Sequence, residues 1–453
     1  MDILEDLNVL YESYKRASKS SPDKTETMRF RSNFLSEIIE IKDEFKEETY
    51  EEKDGSEFEI KERGKKRHIH GKGMKGKTVG HAYSDFILND SLRPYLIHNN
   101  GASQKGKGVS FSRDEFESEL RNAHEKYGDF IIVFGDFSKF YDNIVHRTLK
   151  DMIHPKVPKD TRWLFDRMID HFRVDVSYMT DEEYATCIKD KFDSVEYYAN
   201  IPKEKRTGEK FMDKSCNIGD QISQDVGVFY PTPIDNYVKI VCSCKFYGRY
   251  MDDFYYIVKT KEEADMILAG IRKQANKLGV FINEKKTHSV RSDERFRYLQ
   301  IRYFLKDKKI VKRLRQESVT RERRRLKAYK RLLDKGEMDY QKIKNCYKSW
   351  MGTFYKIMSR KQIRNMKALY KTLFKEDPRW KKQKSLSAKQ KSKPKKTAQF
   401  TLQMRDSIMT DQLSRLKRLT EISSTSTARS SRSAPVQMIG TGLHLSSLPK
   451  RKS

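Results

Sequence analysis

The chain predicts an α+β fold, and three features carry that expectation. Lys245-Phe246-Tyr247-Gly248-Arg249 and Phe254-Tyr255-Tyr256-Ile257-Val258 are aromatic and β-branched runs on either side of Tyr250-Met251-Asp252-Asp253, the pattern of a hairpin. Ile131-Ile132-Val133-Phe134-Gly135 is an apolar run ending at Asp136, as a buried strand would. Both flanks turn to helical spacing, at Phe34 to Ile41 before this region and at Arg321 to Leu333 after it.

Taken in order, residues 1–55 alternate charged and apolar positions and predict an N-terminal helical segment. Gly64-Lys65-Lys66-Arg67-His68-Ile69 and Gly71 to Lys77 combine glycine with concentrated positive charge. Triphosphate binding needs both, although a mobile basic loop on RNA phosphates has the same composition. Asn99 to Gly108 is a second glycine-rich stretch, and none of these is a Walker A sequence. Residues 151–215 form a polar insertion in which Trp163 to Ile169 is helical. Gly219 precedes a helical stretch broken by Pro231 and Pro233, and Cys242 and Cys244 alternate as packing residues on a strand. Residues 305–375 become helical and basic, with Tyr347, Trp350 and Phe354 as bundle core. From 376 to 453 the composition falls to Lys, Ser, Gln, Thr and Arg. Residues 381–396 hold eight lysines and no acid, which predicts a disordered electrostatic arm; Leu413, Leu416 and Leu419 allow one short helix.

The acids carry the chemistry. Asp-Asp alone in a turn is ordinary polar turn sequence. With a strand-end Asp136 beside it, the pattern suits hard cations such as Mg²⁺, since two-metal phosphoryl transfer needs acids from separate strands to clamp ions roughly 3.5 to 4 Å apart.

A formal net charge of +30 over 453 residues points to a polyanionic partner, nucleic acid before membrane. No eighteen-residue apolar run and no secretory leader stand against a membrane role and predict a cytoplasmic protein. Cys187, Cys216, Cys242, Cys244 and Cys346 lack zinc-ligand spacing and read as free thiols.

In combination these residues resemble the reverse transcriptase family. Asp136-Phe137 is similar to its motif A, Cys216 to Gln224 to motif B, Tyr250 to Asp253 to motif C, Leu278 to Thr287 to motif D, and Phe296 to Gln300 to the primer-grip hairpin. Ser223-Gln224 and Ile218-Gly219 stand where group II intron and retron enzymes carry Ser-Pro and Gln-Gly. That variant resembles diversity-generating retroelement and stand-alone prophage enzymes. Gln300 replaces the usual glycine of the grip turn.

The resemblance implies a right-hand polymerase, with fingers and an antiparallel-sheet palm over 56–304, a helical thumb over 305–375 and the basic tail beyond. It implies Asp136, Asp252, Asp253 and Lys286 as catalytic groups, with Lys286 as general acid. It further implies two Mg²⁺ ions, or Mn²⁺, on Asp136, Asp252, Asp253 and the Phe137 carbonyl. Lys66, Arg67, Lys77, Tyr141, Gly219 and Gln221 would bind the deoxynucleotide, with Tyr141 blocking a 2′-hydroxyl. Ser223, Gln224, Lys105, Lys107, Tyr298 and Leu299 would meet template and primer. The expected activity is RNA-directed DNA synthesis from a DNA or RNA primer, in a bacterial retroelement, prophage or antiphage-defence setting, with a dedicated noncoding RNA or accessory protein as further partners. Two other readings fit the same residues: a template-independent or RNA-synthesising polymerase on this fold, and a non-catalytic RNA-binding scaffold.

Overall fold

A computed structural model describes residues 1–53, 55–62, 64–306 and 309–376, all within one unit, Met1–Lys384. The expected basic arm and its helix near Leu413 lie outside the described residues. The structure is a mixture of helices and antiparallel sheets, as the sequence predicts.

The N-terminal segment forms α1 (Asp2–Glu5), α2 (Leu7–Ser18), α3 (Thr25–Ser32) and α4 (Phe34–Lys46). Its apolar faces close on one another: Tyr14 stacks on Phe30 with ring centres 5.3 Å apart, and Phe34, Ile38 and Ile41 are buried. Strands β1 (Ser56–Glu62) and β2 (Lys65–Gly71) make a hairpin, and α5 (Met74–Tyr83) follows and packs on α2. The glycine-rich basic stretch is therefore strand and helix, not a loop. A short α6 (Asn89–Leu92) leads to α7 (Val109–Tyr127).

The central sheet is built on β3 (Ile131–Ser138). Helix α8 (His146–Ile153) leads into the insertion, which contributes α9 (Arg162–Asp170), β4 (Val174–Asp175), α10 (Asp181–Lys189), α11 (Ser194–Asn200) and β5 (Phe211–Met212), with its own small core of Val174, Val176, Phe192, Tyr197 and Met212. Helix α12 (Gln221–Phe229) stops before Pro231 and α13 (Thr232–Asn236) begins one turn later, because proline removes a backbone donor and clashes with the preceding turn. A π-helical turn, Tyr237–Val241, continues it; Cys242 and Cys244 lie in the connection to β6, not on the strand their alternation suggests.

Strands β6 (Phe246–Tyr250) and β7 (Asp253–Val258) form the expected hairpin, and β7 pairs with β3. Helix α14 (Lys261–Lys277) precedes β8 (Phe281–Ile282) and β9 (His288–Arg291), which share the other edge of β3. Alternation along the strands sorts the two faces. Phe134, Tyr255 and Ile257 join Phe116 and Leu120 of α7 in one core, whereas the Tyr256 hydroxyl donates to the Ala264 carbonyl of α14 at 2.7 Å. With a helix on each face, β3 is buried from Ile132 to Phe137, which is why its sequence is continuously apolar. Each fully buried ring in this core is worth roughly 2 kcal/mol of transfer free energy.

Strands β10 (Phe296–Tyr298), β11 (Ile301–Lys306) and β12 (Lys309–Leu314) make a three-stranded sheet. The helical pattern expected from 305 thus begins only at α15 (Gln316–Asp334), followed by α16 (Tyr340–Phe354) and α17 (Arg360–Phe374). Tyr347 stacks on Tyr370 at 4.3 Å in the core of these three helices, beside Leu326, Met351 and Met366.

Candidate active site

The register of the central sheet brings the acids together. Asp136 at the end of β3 is the direct cross-strand partner of Asp253 at the start of β7, so both leave the same face of the sheet. Tyr250 pairs with Asp253, which leaves Met251 and Asp252 as a two-residue turn. Met251 adopts φ of +56°, a left-handed conformation that costs a non-glycine residue energy and persists only where its surroundings hold it. Those surroundings are specific. The Arg249 guanidinium donates to the Met251 carbonyl at 3.1 Å, and the Phe137 N–H donates to the Asp252 carbonyl at 3.3 Å.

Asp136 is 4% exposed. Its Oδ2 forms an ion pair with Lys286 Nζ, and its Oδ1 is buried without a hydrogen-bond partner. The Asn283 N–H donates to the Asp136 carbonyl at 2.7 Å, which fixes the segment carrying Lys286 against the end of β3.

A cavity of about 600 Å³ opens in front of these groups, a size suited to a nucleotide. Asp136, Phe137, Tyr141, Asp252 and Lys286 line it, with Lys66 and Arg67 of β2. The insertion supplies a further wall through His171, Arg173 and Ser194. That wall is tied to the segment after β3: the Ser194 hydroxyl donates to Asp142 at 2.8 Å, and Asn143 exchanges side-chain bonds with the Phe192 N–H and carbonyl at 2.8 and 2.9 Å.

The other expected nucleotide residues lie elsewhere. Lys77, Gly219 and Gln221 line a second cavity of about 410 Å³, together with Arg16 of α2 and Lys19 just after it. His70 and Ile218 border both cavities. The His70 N–H donates to Asn217 Oδ1 at 3.2 Å and Asn217 Nδ2 donates back to the His70 carbonyl, so the partition is pinned. Gly219 has φ of +99°, which lets the chain turn into α12, and Asp220 caps that helix by accepting from the Ile222 N–H.

Among the expected template and primer residues, Ser223 is fully buried, and the Ser103 hydroxyl donates to Gln224 Oε1 at 3.4 Å. Lys105 is exposed, and Lys107 folds back to donate to the His98 carbonyl at 2.8 Å. Tyr298 is buried, and its neighbours Leu299 and Gln300 take φ of +39° and +72°, the mirror-image turn of a tight hairpin. The Arg113 guanidinium donates to the Leu299 carbonyl at 3.0 Å through Nε and again through Nη2.

Burial governs the electrostatics. It pushes the Tyr141 hydroxyl well above its ordinary value, helped by the Cys216 thiol and the Asp252 carboxylate, and it raises the Cys216 thiol likewise. Burial carries Asp225 up to about 7 against a hydrogen bond from the Ser84 hydroxyl. Lys72 is buried, yet carboxylates of Asp220 and Glu52, each 2.9 Å away, raise it above the usual lysine value.

Several residues of this architecture escape sequence reasoning. Arg249 sits inside a strand run where an exposed arginine is the ordinary expectation. Asn217 lies in the motif-B stretch without a distinguishing neighbour, and no local signal marks His171, Arg173 or Ser194. Among the described residues, no three of Asp, Glu, His and Cys converge closely enough to hold a metal. The donor chemistry nevertheless fits a hard cation: Asp136 has one oxygen already against an ammonium and a second buried without a partner, beside the Asp252 turn.

No helix among the described residues is long and apolar enough to cross a membrane. No curated protein matches the chain. Residues 61–303, more than half of the sequence, match the family described as reverse transcriptase (RNA-dependent DNA polymerase), and that match spans every segment from the β2 cations to the β10–β11 turn. The chain belongs to the reverse transcriptase family, nucleotidyltransferases that copy an RNA template into DNA from a primer and nucleotide substrates.

Proposed function

We propose that the protein joins a primer 3′-hydroxyl to the α-phosphate of a deoxynucleoside triphosphate on an RNA template, releasing pyrophosphate, at a two-metal centre. The observation that carries this reading is the Asp136–Asp253 register beside a nucleotide-sized cavity that also contains Asp252, Lys286 and Arg67. Asp136, Asp252, Asp253 and the Phe137 carbonyl are the proposed ligands. When bound, Mg²⁺ or Mn²⁺ supplies Lewis acidity that favours the ionised primer hydroxyl and offsets charge on the phosphate.

The chain's own groups do the rest. Arg67 and Lys66 hold phosphate oxygens by charge-assisted bonds. Lys286, resting on Asp136, donates a proton to the departing pyrophosphate. Tyr141 occupies the ribose edge and excludes a 2′-hydroxyl. In the right-hand arrangement, β1, β2 and α5 act as fingers, the β3 sheet as palm and α15–α17 as thumb. The arginines of α15, Arg321, Arg323 and Arg324, offer charge to a duplex backbone. Ser223-Gln224 supports a stand-alone bacterial enzyme akin to those of diversity-generating retroelements.

The test is primer extension by the Asp252→Asn variant. Synthesis is expected to be abolished while circular dichroism and RNA affinity stay unchanged; retained synthesis overturns the reading.

A further inference from the structure

The ring of Tyr141 stands directly against Gly227 in the last turn of α12. A Cβ at residue 227 would lie 2.8 Å from the Tyr141 hydroxyl oxygen, 3.2 Å from Cζ and 3.3 Å from Cε1, and the first distance is one that real side chains do not tolerate. Glycine is a poor choice for a buried helix interior, since it loses more backbone freedom than alanine on folding. Its presence there is explained by what it leaves room for.

The backbone around Tyr141 is held by hydrogen bonds on several sides. The Cys216 N–H donates to the Tyr141 carbonyl at 2.8 Å. Asp142 accepts from the Ser194 hydroxyl, and Asn143 is bonded to Phe192 on both sides of its amide. The ring is also flanked edge-on by Phe140 at 5.5 Å, and its hydroxyl points at Met251 Sδ, 4.0 Å away. Tyr141 lines the 600 Å³ cavity, and Gly227, which meets the hydroxyl end of its ring, is not among the lining residues. A Cβ at 227 must displace the hydroxyl end of a ring that itself borders the nucleotide space.

We propose that Gly227 is a specificity-determining residue: by lacking a side chain it sets how far Tyr141 reaches toward the ribose. This rests on the reading of Tyr141 as the sugar gate. Gly227→Ala is expected to raise KM for deoxynucleotides about tenfold, the scale of overpacking by one methyl group, with kcat changed much less. Because the closest atom is the hydroxyl oxygen, Tyr141→Phe should rescue the change. KM of the Gly227→Ala/Tyr141→Phe double variant should return to within about twofold of Tyr141→Phe alone.

The experiment measures steady-state dNTP and rNTP incorporation for these three variants and Tyr141→Ala, with thermal melts alongside. Wild-type KM in Gly227→Ala overturns the proposal, and so does a raised KM that Tyr141→Phe leaves unrelieved, since a general folding defect would not depend on one hydroxyl. If Tyr141→Ala brings no gain in ribonucleotide use while the rescue is still seen, the gate reading falls and the steric contact stands.

Discussion

The Arg249 guanidinium and the Asp235 carboxylate form an ion pair at 2.7 Å in which neither side chain has any solvent exposure. Arg249 also donates to the Val228 carbonyl at 2.8 Å and to the Met251 carbonyl, while the Tyr247 hydroxyl donates to Asp235 at 2.6 Å. One guanidinium thus joins the last turn of α12, the end of α13 and the turn that carries Asp252. Burial opposes its charge, and the Asp235 carboxylate more than restores it, raising Arg249 above the usual arginine value.

Removing one member of this pair strands the other in the core. Arg249→Met is expected to cost about 3 to 5 kcal/mol, and the double replacement Arg249→Met/Asp235→Leu to recover most of that stability. Urea denaturation measures both. Primer extension should stay depressed in the double variant, because the Met251 carbonyl has still lost its donor.

Glu119 makes stability depend on pH. Burial pushes its carboxyl from 4.5 up to about 7, partly offset by the Tyr255 hydroxyl, which donates at 2.7 Å, and by the Asn99 amide. A folded-state pKa above the unfolded one means that the native protein binds the proton more tightly. The contribution is therefore full below about pH 4.5 and lost as pH rises through 7, on the order of 3 kcal/mol. Glu119→Gln should remove that decline. Asp225 and Asp142, raised to about 7 and about 6, act in the same direction in both proteins. The difference between the two stability profiles from pH 5 to 8 isolates Glu119.

The β10–β11 turn holds Leu299 and Gln300 at positive φ without a glycine. Gln300→Gly is expected to stabilise the protein by about 1 kcal/mol, the left-handed penalty of one residue. A higher melting temperature checks it.

Lys286 competes with any cation at Asp136, since its ammonium occupies Oδ2. Lys286→Ala should lower the single-turnover rate of nucleotide addition by about a hundredfold if it is the general acid. The same variant should reach half-maximal activity at a lower Mg²⁺ concentration. Lys286→Arg should show neither effect in full.

Much of this arrangement is legible in the sequence because it rests on local patterns. The Met251-Asp252 hairpin is written in flanking aromatics, and β3 in an apolar run that only a doubly covered strand would carry. The α15–α17 core follows in part from the aromatics Tyr347, Trp350 and Phe354 at helical spacing, of which Trp350 is only partly buried. What escapes depends on distant partners. Strand β12 reads Lys-Ile-Val-Lys-Arg-Leu, as basic as the helices after it, and is a strand because β11 lies beside it. Lys77 belongs to the same glycine-rich run as Arg67, yet α5 carries it to a different cavity. Arg249 is buried only because Asp235, on another element, neutralises it.

Strand β3 takes β7 along one edge and both β8 and β9 along the other, so Ile131 faces Val258 on one side and Arg291 on the other. Contacts this remote in sequence close large loops, and they make folding slow. A growing chain has no partner for either edge of β3 until the ribosome has passed the hairpin, and the second edge is filled only as Phe281 to Arg291 emerge. Chains stalled or cut before that point are left with their most apolar strand open along a side, and open apolar edges recruit other chains. Truncated products of this gene are therefore expected in the insoluble fraction, not as soluble protein that merely lacks activity.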